Sequence, residues 1–321
     1  MGNMKIFALA AFAILIAGCA GAPREATGLV VVSPTWVGYG PLYIAQEKGF
    51  FAQRGIDVKI LEIEGQSEVR AMLAGGNADI VLHTVDMGIV DVGAGSEQRF
   101  VYMLDESLGA DGVISKQSIA TLKGLEGKKV ACQIGVPAYF FLRSLMEKQG
   151  IEKNSVQFLD IPADEAGAAF FNGDVDAACT WEPWLSKAAA SSGGKILVSS
   201  ADVPGKIVDV VAPTPAALQN KRPAIKAFIE AWIDAQQYIA TNPGESYRIM
   251  SAHYSMTPEE FREISATLRW NSLQEAKAFF DGPIYSLAEE INQIAVQDGM
   301  ISAPVDVNAL IDQSIVRELG K

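Results

Sequence analysis

The sequence predicts an α/β protein built on parallel sheets, and three observations carry that expectation. Short apolar runs alternate with helix-like segments through short loops, the rhythm that parallel strands with crossover helices require. The rhythm halts near residues 112–115 and restarts at Gly127, so it runs through twice. A chain of 321 residues is also long for a single hydrophobic core and suits two lobes. The rhythm alone equally allows one large sheet.

Leu29-Val30-Val31-Val32 reads as a buried strand feeding the segment Trp36-Val37-Gly38-Tyr39-Gly40-Pro41. Pro41 suits the first turn of a following helix, where its missing N–H costs nothing, and Gly49 suits the left-handed position beyond that helix's end. A second strand is expected over residues 58–63, then a helix capped by Ser67 and running to Gly75-Gly76. Residues 78–82 make a third strand, leading through His83-Thr84-Val85-Asp86 into an apolar helix that stops at Gly93. A fourth strand covers 100–104, and 112–115 reads as a crossover strand. The second series has a strand over 128–133, a helix from Pro137 to Lys148, and a strand over 156–161. A helix over 163–171 and a strand over 175–180 then lead into Trp181-Glu182-Pro183. Strands over 196–199 and 207–211 follow, the second returning the chain toward the first series. From Pro223 onward the pattern is almost entirely helical. Thr257-Pro258-Glu259-Glu260 forms a capping box there, with proline at the first helical position.

Two stretches narrow the reading further. The first continues from Trp36 through Ala45-Gln46-Glu47-Lys48-Gly49-Phe50-Phe51 to Gly55-Ile56-Asp57-Val58. The second is Gly173-Asp174-Val175-Asp176-Ala177-Ala178-Cys179-Thr180-Trp181-Glu182-Pro183-Trp184. In this order they resemble W-x-G-[YF]-x-P, A-x-E-K-G-F-F, G-[IL]-D-V and G-x-V-D-A-x-x-x-W-E-P-W. Those patterns recur in the nitrate/sulfonate/taurine/thiamine-pyrimidine group of bacterial solute-binding proteins. The resemblance covers roughly residues 29–240. It implies a two-lobed periplasmic-binding-protein type II fold. Lobe 1 would hold residues 29–112 and 212–321, and lobe 2 residues 113–211. The two crossing strands would form a hinge closing on a ligand. It further implies a monomeric solute-binding subunit of an ABC importer. Such a subunit captures a small molecule (sulfonate, pyrimidine-like or related) and delivers it to permease and ATPase partners. A binding lipoprotein feeding a sensor kinase or chemoreceptor is the alternative.

Residues 6–16 form an apolar run behind Lys5, too short to span a bilayer as a helix but of signal-peptide length. Ile16-Ala17-Gly18-Cys19 resembles a bacterial lipobox, in which the cysteine is lipidated and begins the mature chain. A signal peptide over 1–18 and a lipidated tether over 19–28 are therefore expected, placing the protein at the extracytoplasmic face of a bacterial envelope. A net charge of −12 argues against nucleic acid as a partner and against adhesion to anionic lipid, leaving the lipid anchor as the membrane contact. Cys132 and Cys179 lie in apolar strand-like runs and read as buried thiols, with a disulfide open only if geometry permits.

In open α/β sheets ligands bind beyond the carboxyl ends of strands. That rule singles out Trp36, Gly38 and Tyr39 from the first loop, Gln66 and Ser67 from the second, and His83, Thr84 and Asp86 from the third. Asp105 and Ser107 follow the fourth strand. The second series offers Gln133, Gly135, Val136 and Pro137 at a helix start, with Trp181 and Glu182. Trp36, Tyr39 and Trp181 give flat walls for a ring or alkyl chain. The helix starts at Pro41 and Pro137 invite an anion or acceptor, whereas the carboxylates invite a donor. An amino-sulfonate or a neutral heterocycle with N–H donors suits that mixture better than a bare anion. Each residue also has a blander role: His83 in the core, Asp86 and Asp105 as helix caps, Glu182 paired with Lys187 or capping a turn, and Trp184 as core.

Signs of catalysis are weak. H-E-x-x-H, a P-loop and a complete dinucleotide fingerprint are missing, Gly93-Ala94-Gly95-Ser96-Glu97 is no nucleophile elbow, and two histidines without a Cys/His cluster offer little to a metal. No cofactor, metal or catalytic residue is expected. A pyridoxal-dependent pyrimidine synthase-like enzyme enters only through the resemblance, and the cysteine-rich motif of those enzymes is not matched.

Overall fold

The computed structural model describes residues 27–190 and 193–320. The expectations for a signal peptide over 1–18 and for lipidation at Cys19 fall outside these residues. Among the described residues, no helix is long and apolar enough to cross a membrane.

Among the described residues, eleven strands are distributed over two sheets. They are β1 (Thr27–Ser33), β2 (Ile56–Glu62), β3 (Ile80–Thr84), β4 (Tyr102–Ser107), β5 (Asp111–Lys116), β6 (Lys129–Ala131), β7 (Gln157–Leu159), β8 (Ala177–Trp181), β9 (Gly194–Ser199), β10 (Val208–Pro213) and β11 (Leu268–Trp270). The first sheet has the order β11-β4-β10-β3-β1-β2 and the second β7-β6-β8-β5-β9. Both are mixed rather than wholly parallel: β10 runs antiparallel to β3 and β4, and β5 antiparallel to β8 and β9. β5 and β10 are the strands by which the chain enters each sheet after leaving the other, and β11 is antiparallel to β4 as well.

Helices α1 (Gly40–Glu47), α2 (Phe50–Gln53), α3 (Gln66–Ala74) and α4 (Val85–Gly93) accompany β1–β3. Helices α5 (Pro137–Lys148), α6 (Ala163–Phe171) and α7 (Trp184–Ala189) accompany the second sheet. The chain then returns as α8 (Pro215–Thr241), α9 (Pro243–His253), α10 (Pro258–Ser265), α11 (Leu273–Phe280), α12 (Pro283–Gln297), α13 (Val307–Leu310) and α14 (Ser314–Glu318). One core joins Val31, Leu82 and Val210 of the first sheet to Phe228, Trp232 and Ile291 of the returning helices. A second core gathers Val113, Val130, Leu142 and Cys179. Cys132 and Cys179 are buried there as free thiols.

Several expected boundaries move. β3 runs on to Thr84 and β4 to Ser107, so His83, Asp105 and Ser107 are strand residues rather than loop or cap residues, and Thr84 both ends β3 and holds the N-cap position of α4. Ser67 is not the cap of α3; Gly65 holds that position and the Ser67 hydroxyl bonds Glu68. The expected divisions at 112/113 and 211/212 fall inside β5 and β10. A strand belongs to whichever sheet its ladder joins, so all of β5 lies in the second sheet and all of β10 in the first. The helix expected from Pro223 starts at Pro215, capped by Thr214, and kinks at Lys221, where the residues ahead of Pro223 leave helical geometry. β11 breaks the expected helical run and pairs with β4.

Away from the strand ends, α12 of the first core lies against α5 of the second. Arg143 Nε donates to Asp298 at 2.9 Å and the Tyr139 hydroxyl donates to the same carboxylate at 2.6 Å. Lys206 pairs with Glu290 at 2.5 Å, and the Ser144 hydroxyl reaches Glu290 as well. Burial pushes the Asp298 carboxyl up, but the bonds from Arg143 and Tyr139 outweigh it and hold Asp298 below the usual range.

Candidate functional site

The two passages between sheets meet at a pair of serines. Ser107, ending β4, lies 2.7 Å from the hydroxyl of Ser200, which follows β9. Ser200 also accepts the backbone N–H of Gly109 at 2.7 Å. Gly109 has φ +123°, a conformation that side chains rarely adopt, so glycine is required at this turn.

Around that junction the strand ends bring four aspartates together. Asp105 lies two residues before the end of β4, Asp111 starts β5, Asp209 lies in β10 and Asp86 in the first turn of α4. They are 0%, 4%, 4% and 2% exposed respectively, so solvent does little to screen them. Asp209 faces Thr84 across the β10–β3 ladder and sits where the register against β4 shifts, a bulge that re-aims a side chain. Burial raises all four carboxyls, and neighbouring acidic charge adds to it: Asp111 on Asp86, Glu106 and Asp111 on Asp105, Glu182 on Asp111 and Asp105 on Asp209. Asp86 and Asp105 are pushed up to about 7 and Asp111 to about 6, while Asp209 lies well above the ordinary range under burial and the charge of Asp105.

The aromatic loop after β1 delivers its donors into this cluster. Trp36 Nε1 donates to Asp105 Oδ1 at 3.0 Å, and the Tyr39 hydroxyl donates to Asp209. Burial, then the Asp209 charge, raises the Tyr39 hydroxyl well above its ordinary value, so Tyr39 stays a donor. The loop itself is pinned from the first core: Tyr254 donates to the Trp36 carbonyl at 2.6 Å and Trp270 Nε1 to the Gly38 carbonyl at 2.7 Å. Gly38 has no room for a side chain. A Cβ there would lie 2.2 Å from Trp36 Nε1 and 2.6 Å from Asp105 Oδ1.

Beside the cluster lies a cavity of about 440 Å³, within the range of small-molecule sites. Its walls include Glu182 and Lys187 from the second-sheet side and Tyr254, Met256, Glu260 and Thr267 from the first. Tyr254 and Glu182 connect cavity and cluster, since Tyr254 holds the Trp36 carbonyl and the Glu182 charge reaches Asp111. Glu182 caps α7, accepting the Ser186 hydroxyl at 2.6 Å rather than pairing with Lys187, whose ammonium lies 4.9 Å above the Trp184 ring. Trp184, expected in the core, is 38% exposed because α7 is a short surface helix.

Of the residues singled out by sequence, Trp36, Gly38, Tyr39, Thr84, Asp86, Asp105, Ser107 and Glu182 come together here. Trp181 joins from β8, half-buried and paired with Asp111 in the ladder. Gln66 and His83 lie apart, around a much smaller cavity with Asp91. His83 is held neutral by burial, which lowers its pKa to about 3. Ser67 is exposed. Gln133 accepts the Ala163 N–H at the start of α6, Val136 precedes α5, and Gly135 adopts φ +87° between them. Neither these three nor Trp36, Tyr39, Asp105 and Trp181 line the 440 Å³ cavity, whose walls include Glu182 alone of the expected ligand contacts. Sequence reasoning passed over Asp111, Asp209, Tyr254 and Trp270. A lone acid in the apolar run Ile207-Val208-Asp209-Val210-Val211 was the available signal for one of them.

Known proteins agree with this architecture. The model of the NMT1/THI5 like family matches residues 36–246, and the chain belongs to that family. It is 32% identical to a putative aliphatic sulfonates-binding protein of Bacillus subtilis over 54% of this chain and 52% of that protein. It is 27% identical to the taurine-binding periplasmic protein of Escherichia coli over 63% of this chain and 64% of that one. The matches thus span about half to two-thirds of these curated relatives. A segment covering 14% of the chain is 43% identical to a 4-amino-5-hydroxymethyl-2-methylpyrimidine phosphate synthase of Uromyces fabae. In structure, the chain resembles the periplasmic aliphatic sulphonate binding protein SsuA from Escherichia coli, with TM-score 0.75 and 16% identity over 91% of this chain and 99% of that one. The fold is that of the periplasmic binding proteins.

Proposed function

We propose that this member of the NMT1/THI5 like family is the solute-binding subunit of an ABC importer. It would capture a small molecule, sulfonate, pyrimidine-like or related, in the cleft between its two sheets. The observation carrying this reading is the 440 Å³ cavity walled from both sheets beside a cluster assembled from the ends of strands β4, β5 and β10. Residues 27–108 and 208–320 would act as one lobe and 111–199 as the other, rotating about the Ser107–Ser200 junction. Trp36, Tyr39, Asp105, Trp181 and Glu182 would meet the solute.

Binding rather than catalysis is supported by the names of the relatives in the first two comparisons, both binding proteins. The lipobox-like Ile16-Ala17-Gly18-Cys19 supports a chain tethered by lipid at the extracytoplasmic face, where it would hand its solute, as a monomer, to permease and ATPase subunits. A thermal-shift screen of alkanesulfonates, taurine, nitrate and aminopyrimidines tests the reading, because a ligand that binds only the folded state raises its stability. Solution scattering with a saturating binder should then show a smaller radius of gyration. A confirmed binder that leaves the radius unchanged would refute closure.

A further inference from the structure

Strands β6 and β8 run parallel, with Val130 opposite Ala177 and Ala131 opposite Ala178. The next rung sets Cys132 against Cys179. The chain has not yet turned away there, because the Cys132 N–H still donates to the Leu159 carbonyl of β7 at 2.9 Å. Alternation along the two strands puts both sulfurs on one face of the sheet. Val130, Cys132, Ala177 and Cys179 all belong to the second core, whereas Ala131 and Ala178 pack on the other face with Ala166 and Leu185. The side chains meet, Cys179 being a hydrogen-bond partner of the Cys132 thiol. Neighbouring strands lie about 4.8 Å apart, inside the range of about 4.4–6.8 Å between Cα atoms that a disulfide requires.

The geometry points to Cys132 and Cys179 as an oxidation site, a dithiol that a disulfide-bearing oxidant converts into a cross-strand bond between β6 and β8. One cysteine, as thiolate, attacks a sulfur of the oxidant and expels a first thiolate. The other then attacks the cysteine sulfur of that mixed disulfide and expels the second. One S–S bond is made and one broken; the two cysteine protons and two electrons end on the oxidant, which leaves as two thiols. Burial decides when this happens. In the finished fold both cysteines are buried, and burial pushes the Cys132 thiol well above its ordinary range, so neither a thiolate nor access to it is available. The exchange belongs to a chain in which β8 has paired with β6 but α5 has not yet covered them with Leu142 and Met146. The bond would close the loop 132–179 and restrict the unfolded chain. It would also fasten the two strands immediately ahead of Gln133 and two residues ahead of Trp181.

The test synthesises the full chain in a cell-free translation mixture poised with reduced or with oxidised glutathione, the latter supplying the disulfide. Soluble product is alkylated in denaturant and digested without reductant. From the oxidised mixture, the peptide carrying Cys132 should be joined to the one carrying Cys179, lighter by two hydrogens than the separate peptides together. The linked protein should melt several degrees above the reduced one, and Cys132→Ser and Cys179→Ser should each abolish that difference. Soluble product from the oxidised mixture with both cysteines alkylated, or with glutathione on one of them, overturns the inference. So does a linked protein that melts below the reduced one, or soluble product from the reduced mixture alone, since the fold would then be refusing the bond. A melting difference that persists in either serine variant would belong to Cys19 and overturns it as well.

Discussion

Replacing Asp105 with asparagine should stabilise the unliganded protein at neutral and alkaline pH. Asp105 is fully buried, is held at about 7 and lacks a cation partner, whereas in the unfolded chain the same carboxyl titrates near 3.8. A carboxyl raised in this way contributes its full stability below the unfolded value and loses it as the pH climbs through the folded one. Wild-type stability should therefore fall between about pH 4 and pH 7. Each pH unit between the two pKa values is worth about 1.4 kcal/mol, so keeping this site folded above both costs roughly 4 kcal/mol. Asp209 shares the burden, since its own rise comes partly from the charge of Asp105. Asp105→Asn keeps the acceptor for Trp36 and removes the charge, so the gain should be about 1–4 kcal/mol at pH 8 and small at pH 4. Urea denaturation of both proteins at pH 4, 6 and 8 measures this directly. Equal loss of stability at all three values would show that the carboxylate is structurally satisfied, and the reasoning about a cluster of raised carboxyls would fail.

Gly38→Ala should drive a methyl into Trp36 and Asp105, costing about 1–3 kcal/mol and abolishing solute binding; calorimetry and thermal melting together check it, and an unchanged affinity would refute it. Asp298→Asn leaves Arg143 without its buried partner and should cost about 3 kcal/mol at pH 7. Because Asp298 is held low, that contribution exists at neutral pH and disappears as acid protonates it, so the two proteins should converge in denaturation experiments as the pH falls. Cys19→Ser should move the protein from the membrane to the soluble fraction of the cells that make it, and equal partitioning of both forms would remove the lipid anchor.

Much of the chain's alternation was readable because local chemistry and tertiary role agree there. The helix Ala163–Phe171 and the helix from Pro137 to Lys148 carry their signals in their own residues, glycine beyond the end and proline at the start. The strands β3 and β4 were read short for an opposite reason. Their last residues, His83-Thr84 and Asp105-Glu106-Ser107, are polar, and an apolar-run criterion stops before them. Those residues stay in the ladder because partners from distant segments receive them: Trp36 for Asp105, Ser200 for Ser107 and Arg269 for Glu106. The same logic hid Tyr254 and Trp270, whose bonds to the Trp36 and Gly38 carbonyls span more than two hundred residues and follow no spacing rule. Strand-end position did bring Trp36, Tyr39 and Asp105 to one place, because sheet geometry alone converges strand ends.

The position of β10 also constrains the order in which the protein can be built. It lies between β4 and β3, so those two strands have no common neighbour until residue 213 has been synthesised. The second sheet, by contrast, is contiguous and is complete once residue 199 has been made. A chain emerging from its amino end can therefore finish the second sheet while the first still exposes two bare strand edges. Those edges are closed by a strand that arrives only after the intervening sheet has been passed, which makes the first core the late and aggregation-prone step of maturation.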